Sequence, residues 1–211
     1  MRLILASSSP RRKEILAMLG IPFEIVSPGL DEVFQPNRSP ADEAVYWSLE
    51  KSRAVHRLHP DAFVIGSDTV IDLEGRTVGK PVDSEDAIRI LTLLAGRTHA
   101  VVTAVAAIFP DGTERTALER IPVRMRPASR EALVRYAATG EPMDKAGAYS
   151  IQGEGGKLID SIDGDYLAVV GLPLRAVAGF LLEAGIRLPV DVEAIYREKS
   201  VMNWRSYDRG C

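Results

Sequence analysis

The chain has 211 residues, 46% hydrophobic and 26% charged, proportions that exclude a disordered or fibrous protein and leave room for one globular domain. A formal net charge of −3 excludes a nucleic-acid binder driven by bulk electrostatics, so phosphate binding would need a local cluster of cations. The single cysteine, Cys211, excludes an intramolecular disulfide and a cysteine-based zinc site, and no apolar run approaches the roughly 20 residues of a membrane span.

In chain order, Leu3-Ile4-Leu5-Ala6 predicts a short buried strand. It is too short an apolar run for a secretory signal, so a soluble cytoplasmic protein is expected, with neither membrane nor nucleic acid as partner. Ser7-Ser8-Ser9-Pro10-Arg11-Arg12 follows, then Ile15, Leu16 and Leu19 at helical spacing before Gly20. Ser9 suits the N-cap, Pro10 the first helical position and Gly20 the stop. Arg11 and Arg12 break the local rule, because cations at the positive end of a helix cost roughly 0.3–1 kcal/mol each. Either they are solvated, or they join the serine hydroxyls and free amides in an anion site. The strand-turn-helix context favours the anion site.

Phe23–Val26 predicts a second strand and Pro28-Gly29 a turn, after which Asp31 and Glu32 are adjacent loop carboxylates. Acids in a loop are usually solvated; here they are also candidate metal or base groups. Ser39 and Pro40 start a helix that runs to about His56, with Val45, Leu49, Ser52 and Val55 as its stripe. By that spacing Lys51 reads as a surface lysine, and His56 and His59 read as exposed.

The most informative stretch runs from Ala62 to Pro81. Ala62-Phe63-Val64-Ile65 predicts a strand buried on both faces, broken by Gly66-Ser67-Asp68-Thr69 before a second run, Val70-Ile71. An acid inside a buried strand signal is costly unless it has a metal, a cation or a hydrogen-bonding shell. Gly79-Lys80-Pro81 offers a cation on a stiff turn. An acid and a lysine on rigid backbone can serve a metal ion and the phosphates it bridges. On this stretch alone, Asp68 capping a bend and Lys80 lying in solvent stands as an equal alternative.

Ser84 starts a further helix, with Ala87, Ile90, Leu91 and Leu94 on its buried face and Gly96 at its end. Thr98–Phe109 predicts a long strand, Pro110–Thr113 a turn, Ala117–Met125 the returning strand and Ser129 to about Ala138 a helix. His99 lies in that first strand, where a lone histidine is more often structural than a ligand. Between 140 and 156, glycines at 147, 153, 155 and 156 permit close backbone approach to a ligand, and Asp144, Lys145 and Gln152 supply polar groups. Gln152 can donate and accept at once, as reading the edge of a base requires. Asp160–Leu174 returns the chain to the core, and Pro173 starts a helix ending near Gly185. The charged tail from Pro189 carries Trp204 and Tyr207, and its packing is open at this level.

Four motifs thus stand in order: SSSPRR at 7–12, GSDTV at 66–70 with GKP at 79–81, DKAGAYSIQG at 144–153 and VVGLPL at 169–174. Together they resemble the Maf (septum formation) family of nucleoside triphosphate pyrophosphatases, from about Leu3 to about Ile186. The resemblance implies an α/β fold, a mixed sheet with flanking helices similar to the inosine triphosphatase fold, with a deep cleft between two lobes. It implies one domain over residues 1–188, with 189–211 as a charged tail, and it leaves room for a homodimer. The implied reaction converts a nucleoside triphosphate to the monophosphate and pyrophosphate with a divalent cation (Mg, Mn or Co). It further implies roles in removing non-standard nucleotides and in cell-division arrest.

In this resemblance Asp68 matches the catalytic acid, and Arg12, Lys51 and Lys80 match the phosphate-contacting cations, with Ser8 in the same N-terminal motif. Glu32 matches an acid near the site and joins Asp68 as a metal-ligand candidate. Arg11, Thr69 and Gln152 occupy the positions that separate the family's branches and resemble the dTTP/UTP branch; the 7-methyl-GTP branch has Trp, Gln and Glu there. Gly79 departs from an acid found in some dTTP/UTP members. With no serine–histidine or cysteine–histidine set in view, the nucleophile is expected to be water. A carboxylate is a poor base at neutral pH, so metal-assisted activation is favoured, with Asp68 as ligand and proton acceptor together. The alternatives are a nucleotide-binding regulator of cell division without turnover, and a pyrophosphatase for modified purine triphosphates.

Overall fold

The computed structural model describes residues 1–33, 35 and 37–207; Cys211 lies outside them. The Leu3–Leu5 run forms β1, and Ser9 caps α1 (Pro10–Ala17) by accepting a long hydrogen bond from the Arg12 amide. The segment expected as a second strand pairs only over β2 (Glu24–Ile25), whose residues are exposed, so no buried face extends it. Ser39 caps α2 (Pro40–His56), which crosses the sheet.

The central strand is β3 (Phe63–Leu73), followed by β4 (Arg76–Val78), α3 (Ser84–Leu94), β5 (Thr98–Ile108), β6 (Glu114–Met125) and α4 (Arg130–Ala137). Short 3-10 turns then lead into β7 (Ile159–Ile162), α5 (Tyr166–Val170), α6 (Leu174–Glu183) and α7 (Val192–Glu198). The strands form one mixed sheet in the order β2-β1-β3-β5-β6-β7, with β4 paired to β3. β1 runs parallel to β2 and β3; the other pairs are antiparallel. The fold is therefore α/β, with helices packed on the sheet.

Two sequence expectations change here. β3 is continuous through Gly66–Thr69, because its polar side chains are satisfied without leaving the strand. Ser67 Oγ donates toward Ala104 O and Gly171 O at 2.8 and 2.9 Å, and Asp68 is paired across the sheet face. The buried stripe of α2 is Ala44, Trp47, Ser48, Lys51, Ser52 and Val55, whereas Val45 and Leu49 lie on its flanks. Lys51 is thus buried rather than on the surface, and His56 and His59 are half-buried rather than exposed.

The register of β3 explains both changes. Successive strand residues point to opposite faces. Phe63, Ile65, Ile71 and Leu73 enter the main core with Ile15 and Leu16 of α1 and Leu91 of α3, while Val64 and Val70 join small clusters with α2 residues. Asp68 shares the α2 face. Gly66, two residues earlier on that face, lets α2 come close: a Cβ there would lie 2.4 Å from Ser52 Oγ and 2.7 Å from Ser48 O.

Candidate active site

The N-terminal end of α1 and β3 form one wall of a cleft. Arg12 is half-buried; its Nε donates to Gly171 O at 2.9 Å and its Nη2 to Thr69 Oγ1 at 3.3 Å. Thr69 is held from behind by Thr103 of β5, whose Oγ1 lies 3.0 Å from it and donates to Ala168 O at 2.8 Å. Gly171 adopts φ 128°, a backbone conformation that L side chains rarely take, while the space beside Arg12 Nε would hold a Cβ in ordinary contact at 3.4 Å. Burial pulls the guanidinium of Arg12 down from its ordinary value, opposed by Asp68 and Glu32. Ser8 is exposed on the same wall.

On the other face of β3 lies a chain of alternating charge. Lys51 Nζ is 2.5 Å from Asp68 Oδ1 and 2.8 Å from Glu32 Oε1, and Lys80 Nζ is 3.6 Å from Glu32 Oε2. Lys51 and Asp68 are only 5% and 3% exposed, whereas the Lys80 side chain is 52% exposed. Burial pushes the Glu32 carboxyl up, but Lys51, Lys80 and Arg12 together hold it below the usual carboxylate range. Among the described residues Asp68 Oδ2 is buried with no hydrogen-bond partner, a costly state for a carboxylate oxygen.

The opposite wall carries Gln152. Arg11 Nη1 donates to Ser150 Oγ at 3.1 Å, and the Gln152 amide donates to the same oxygen at 3.2 Å. The Tyr136 hydroxyl accepts from the Ser150 amide and donates to Glu141 Oε1, which also accepts from Gly155 N at 3.0 Å. Glu141 thereby fastens the glycine-rich turn after Gln152. Burial lowers the Arg11 guanidinium from its ordinary value, against the field of Asp144 and Glu141. Asp144 and Lys145 pair with each other at the rim, and Gly147 N donates to Gly79 O at 3.0 Å, tying this wall to the Lys80 turn.

The cleft between these walls has a volume of about 890 Å³, suited to a ligand larger than a single phosphate. All nine candidates that the family resemblance implies border it, namely Ser8, Arg11 and Arg12; Glu32 and Lys51; Asp68, Thr69 and Lys80; and Gln152, and so does Asp31. Sequence reasoning missed Thr103, Tyr136, Glu141 and Ser150. Thr103 had a usable signal, a polar residue within an apolar strand, as Asp68 was. The other three act through contacts that no local pattern announces. His99 is buried, hydrogen-bonded through Nε2 to the Tyr149 hydroxyl at 2.7 Å, and among the described residues belongs to no metal cluster.

Among the described residues no three or more His, Cys, Asp or Glu side chains gather as a metal site. The donors still fit a cation of the magnesium kind, which commonly takes one or two carboxylates and completes its shell with water and substrate phosphates. Asp68 has a carboxylate oxygen without a partner, and Glu32 lies across Lys51 from it.

Fold and cleft together define an α/β protein with a charged site suited to a polyanionic ligand. The model of the Maf-like protein family matches residues 2–184, and the chain belongs to that family. It is 48% identical over 184 residues, covering 87% of this chain and 94% of the relative, to a dTTP/UTP pyrophosphatase of Symbiobacterium thermophilum. It is 46% identical over 188 residues, 88% of this chain and 97% of the relative, to a dTTP/UTP pyrophosphatase of Dictyoglomus turgidum. A solved nucleoside-triphosphatase / dITP/XTP pyrophosphatase from Mycobacterium abscessus superposes with a TM-score of 0.42 at 20% identity, over 88% of this chain and 98% of that one. At that score it stands as a likeness only.

Proposed function

We propose that the protein is a nucleoside triphosphate pyrophosphatase of the cytoplasm acting on dTTP and UTP, its catalytic unit spanning residues 1–188. The observation that carries this reading is the buried Asp68, paired to Lys51 through one oxygen and unpartnered at the other, on the wall of a cation-lined cleft. The names of the curated relatives support the substrate class.

Arg11, Arg12 and Lys80 hold the triphosphate oxygens by charge-assisted hydrogen bonds, with Arg12 sharing its guanidinium with Gly171 O and Thr69. Lys51 holds Asp68 and Glu32 in place through one oxygen each and leaves Asp68 Oδ2 available. A divalent cation held by Asp68 and Glu32 would neutralise phosphate charge and acidify water. Asp68 accepts a proton from the attacking water; the new oxygen–phosphorus bond forms at the α-phosphorus, the α–β anhydride breaks, and pyrophosphate leaves.

Gln152 reads the base. Uracil and thymine present a carbonyl, an N–H and a second carbonyl, which one side-chain amide meets with a donor and an acceptor. A site built on such bonds can reject a mismatched analogue by about 10⁴-fold. Hydrolysis of dTTP and UTP should therefore be efficient, that of CTP poorer and that of 7-methyl-GTP poor. A screen over these triphosphates with pyrophosphate detection and a chelator control tests this. Equal specificity constants for UTP and 7-methyl-GTP, or a Gln152→Glu enzyme that keeps its UTP preference, would refute the assignment.

A further inference from the structure

The segment beyond residue 184, outside the family match, packs against the back of the base-reading wall. Trp204 is buried and stacks on Tyr166 with ring centroids 5.2 Å apart at 17°, and it meets Tyr196 of α7 edge-on at 5.3 Å. Tyr207 stacks on the same Tyr166 at 6.0 Å. The aromatic sandwich presses two polar groups onto one carbonyl. Asn203 Nδ2 and the Tyr207 hydroxyl each donate to Ile151 O at 2.7 Å. The Tyr166 hydroxyl donates to Asn203 Oδ1. Gly156 makes the approach feasible, since a Cβ there would lie 2.6 Å from the Tyr207 hydroxyl.

Ile151 C=O and Gln152 N–H are the two ends of one planar peptide unit. The N–H is fixed by Ser150 Oγ, the oxygen that also takes Arg11. The C=O is fixed by Asn203 and Tyr207. A peptide plane held at one end can still rotate about the chain; held at both, it sets the direction in which the Gln152 side chain leaves the backbone. We propose that Asn203 and Tyr207 of the C-terminal segment are positioning residues for base selection, bracing the Ile151–Gln152 peptide. This rests on the reading of Gln152 as the group that meets the base.

The full-length double variant Asn203→Ala with Tyr207→Phe tests it, assayed with UTP, with CTP and with inorganic tripolyphosphate as competitive inhibitor. A lost neutral hydrogen bond is worth about threefold to tenfold, so the UTP-over-CTP ratio of kcat/KM should fall about tenfold, chiefly through KM for UTP. The inhibition constant of tripolyphosphate, which has no base, should stay within about twofold by the same reasoning. An unchanged ratio overturns the proposal, and so does a parallel weakening of tripolyphosphate, which would mark a general structural prop. If the double variant does not fold, Tyr207→Phe alone must lower the ratio about threefold, and an unaltered ratio overturns the proposal. Gln152→Glu separates the two layers: if it shifts the ratio and the tail variant does not, only the brace fails; if neither does, the base reading fails with it.

Discussion

Asp68 and Lys51 form an ion pair inside the protein, where each ion loses several kcal/mol of hydration and mutual attraction barely repays the cost. A hydrophobic pair would serve stability as well. Asp68 keeps an oxygen with no hydrogen-bond partner among the described residues, so the pair is better explained by the reaction than by the fold. Asp68→Asn should lower turnover by about 10²–10⁴-fold while nucleotide binding stays measurable by calorimetry. Turnover close to wild type would remove Asp68 from the catalytic role.

At the scale of elements, the packing of α2 on β3 decides where that pair meets. Gly66 faces Ser48 and Ser52, and a methyl group there would strike the Ser48 carbonyl and the Ser52 amide as well as the hydroxyl. A hydroxyl could rotate away; helix backbone cannot without moving α2. Gly66→Ala should therefore cost about 1–3 kcal/mol, the usual range for overpacking, and should lower kcat by carrying Lys51 away from Asp68. Thermal melting and steady-state kinetics on the variant would show both effects. Unaltered melting and turnover would mean that the close approach does not set the Lys51 position.

Across the whole molecule, burial of His99 couples stability to pH. Burial pushes its imidazole down from 6.5 to about 4. The unfolded chain takes up a proton near 6.5 and the folded chain only near 4, so between these values the unfolded state binds more protons. The contribution is complete above about pH 6.5 and is lost as pH falls toward 4, amounting to roughly 3 kcal/mol across the window. Urea melts at pH 7.5, 6 and 5 should show a steeper loss of stability in the wild-type protein than in His99→Phe, whose ring cannot titrate. Parallel pH profiles would show that the folded imidazole titrates normally.

The strands β1, β3, β5 and β6, the helices α1 to α4 and α6, the cations of the first motif, the acid of β3 and the lysine of the GKP turn were legible in the sequence, whereas β4, β7, α5 and α7 were not. Each legible feature follows from local causes: N-caps, apolar runs, glycine and proline punctuation, and a charge placed where its neighbours are apolar. The face of α2 was not legible, because Lys51 is buried only where Gly66 lets the helix descend onto the sheet and Asp68 and Glu32 receive its ammonium. The continuity of β3 depended on Gly171, whose carbonyl meets Ser67 from 104 residues away, and Arg11 found Ser150 across 139 residues. The tail's course depended on Tyr166, which Trp204 and Tyr207 cover. Periodicity and capping report what a residue shares with its neighbours along the chain; which carbonyl satisfies which hydroxyl is decided only when distant segments pack.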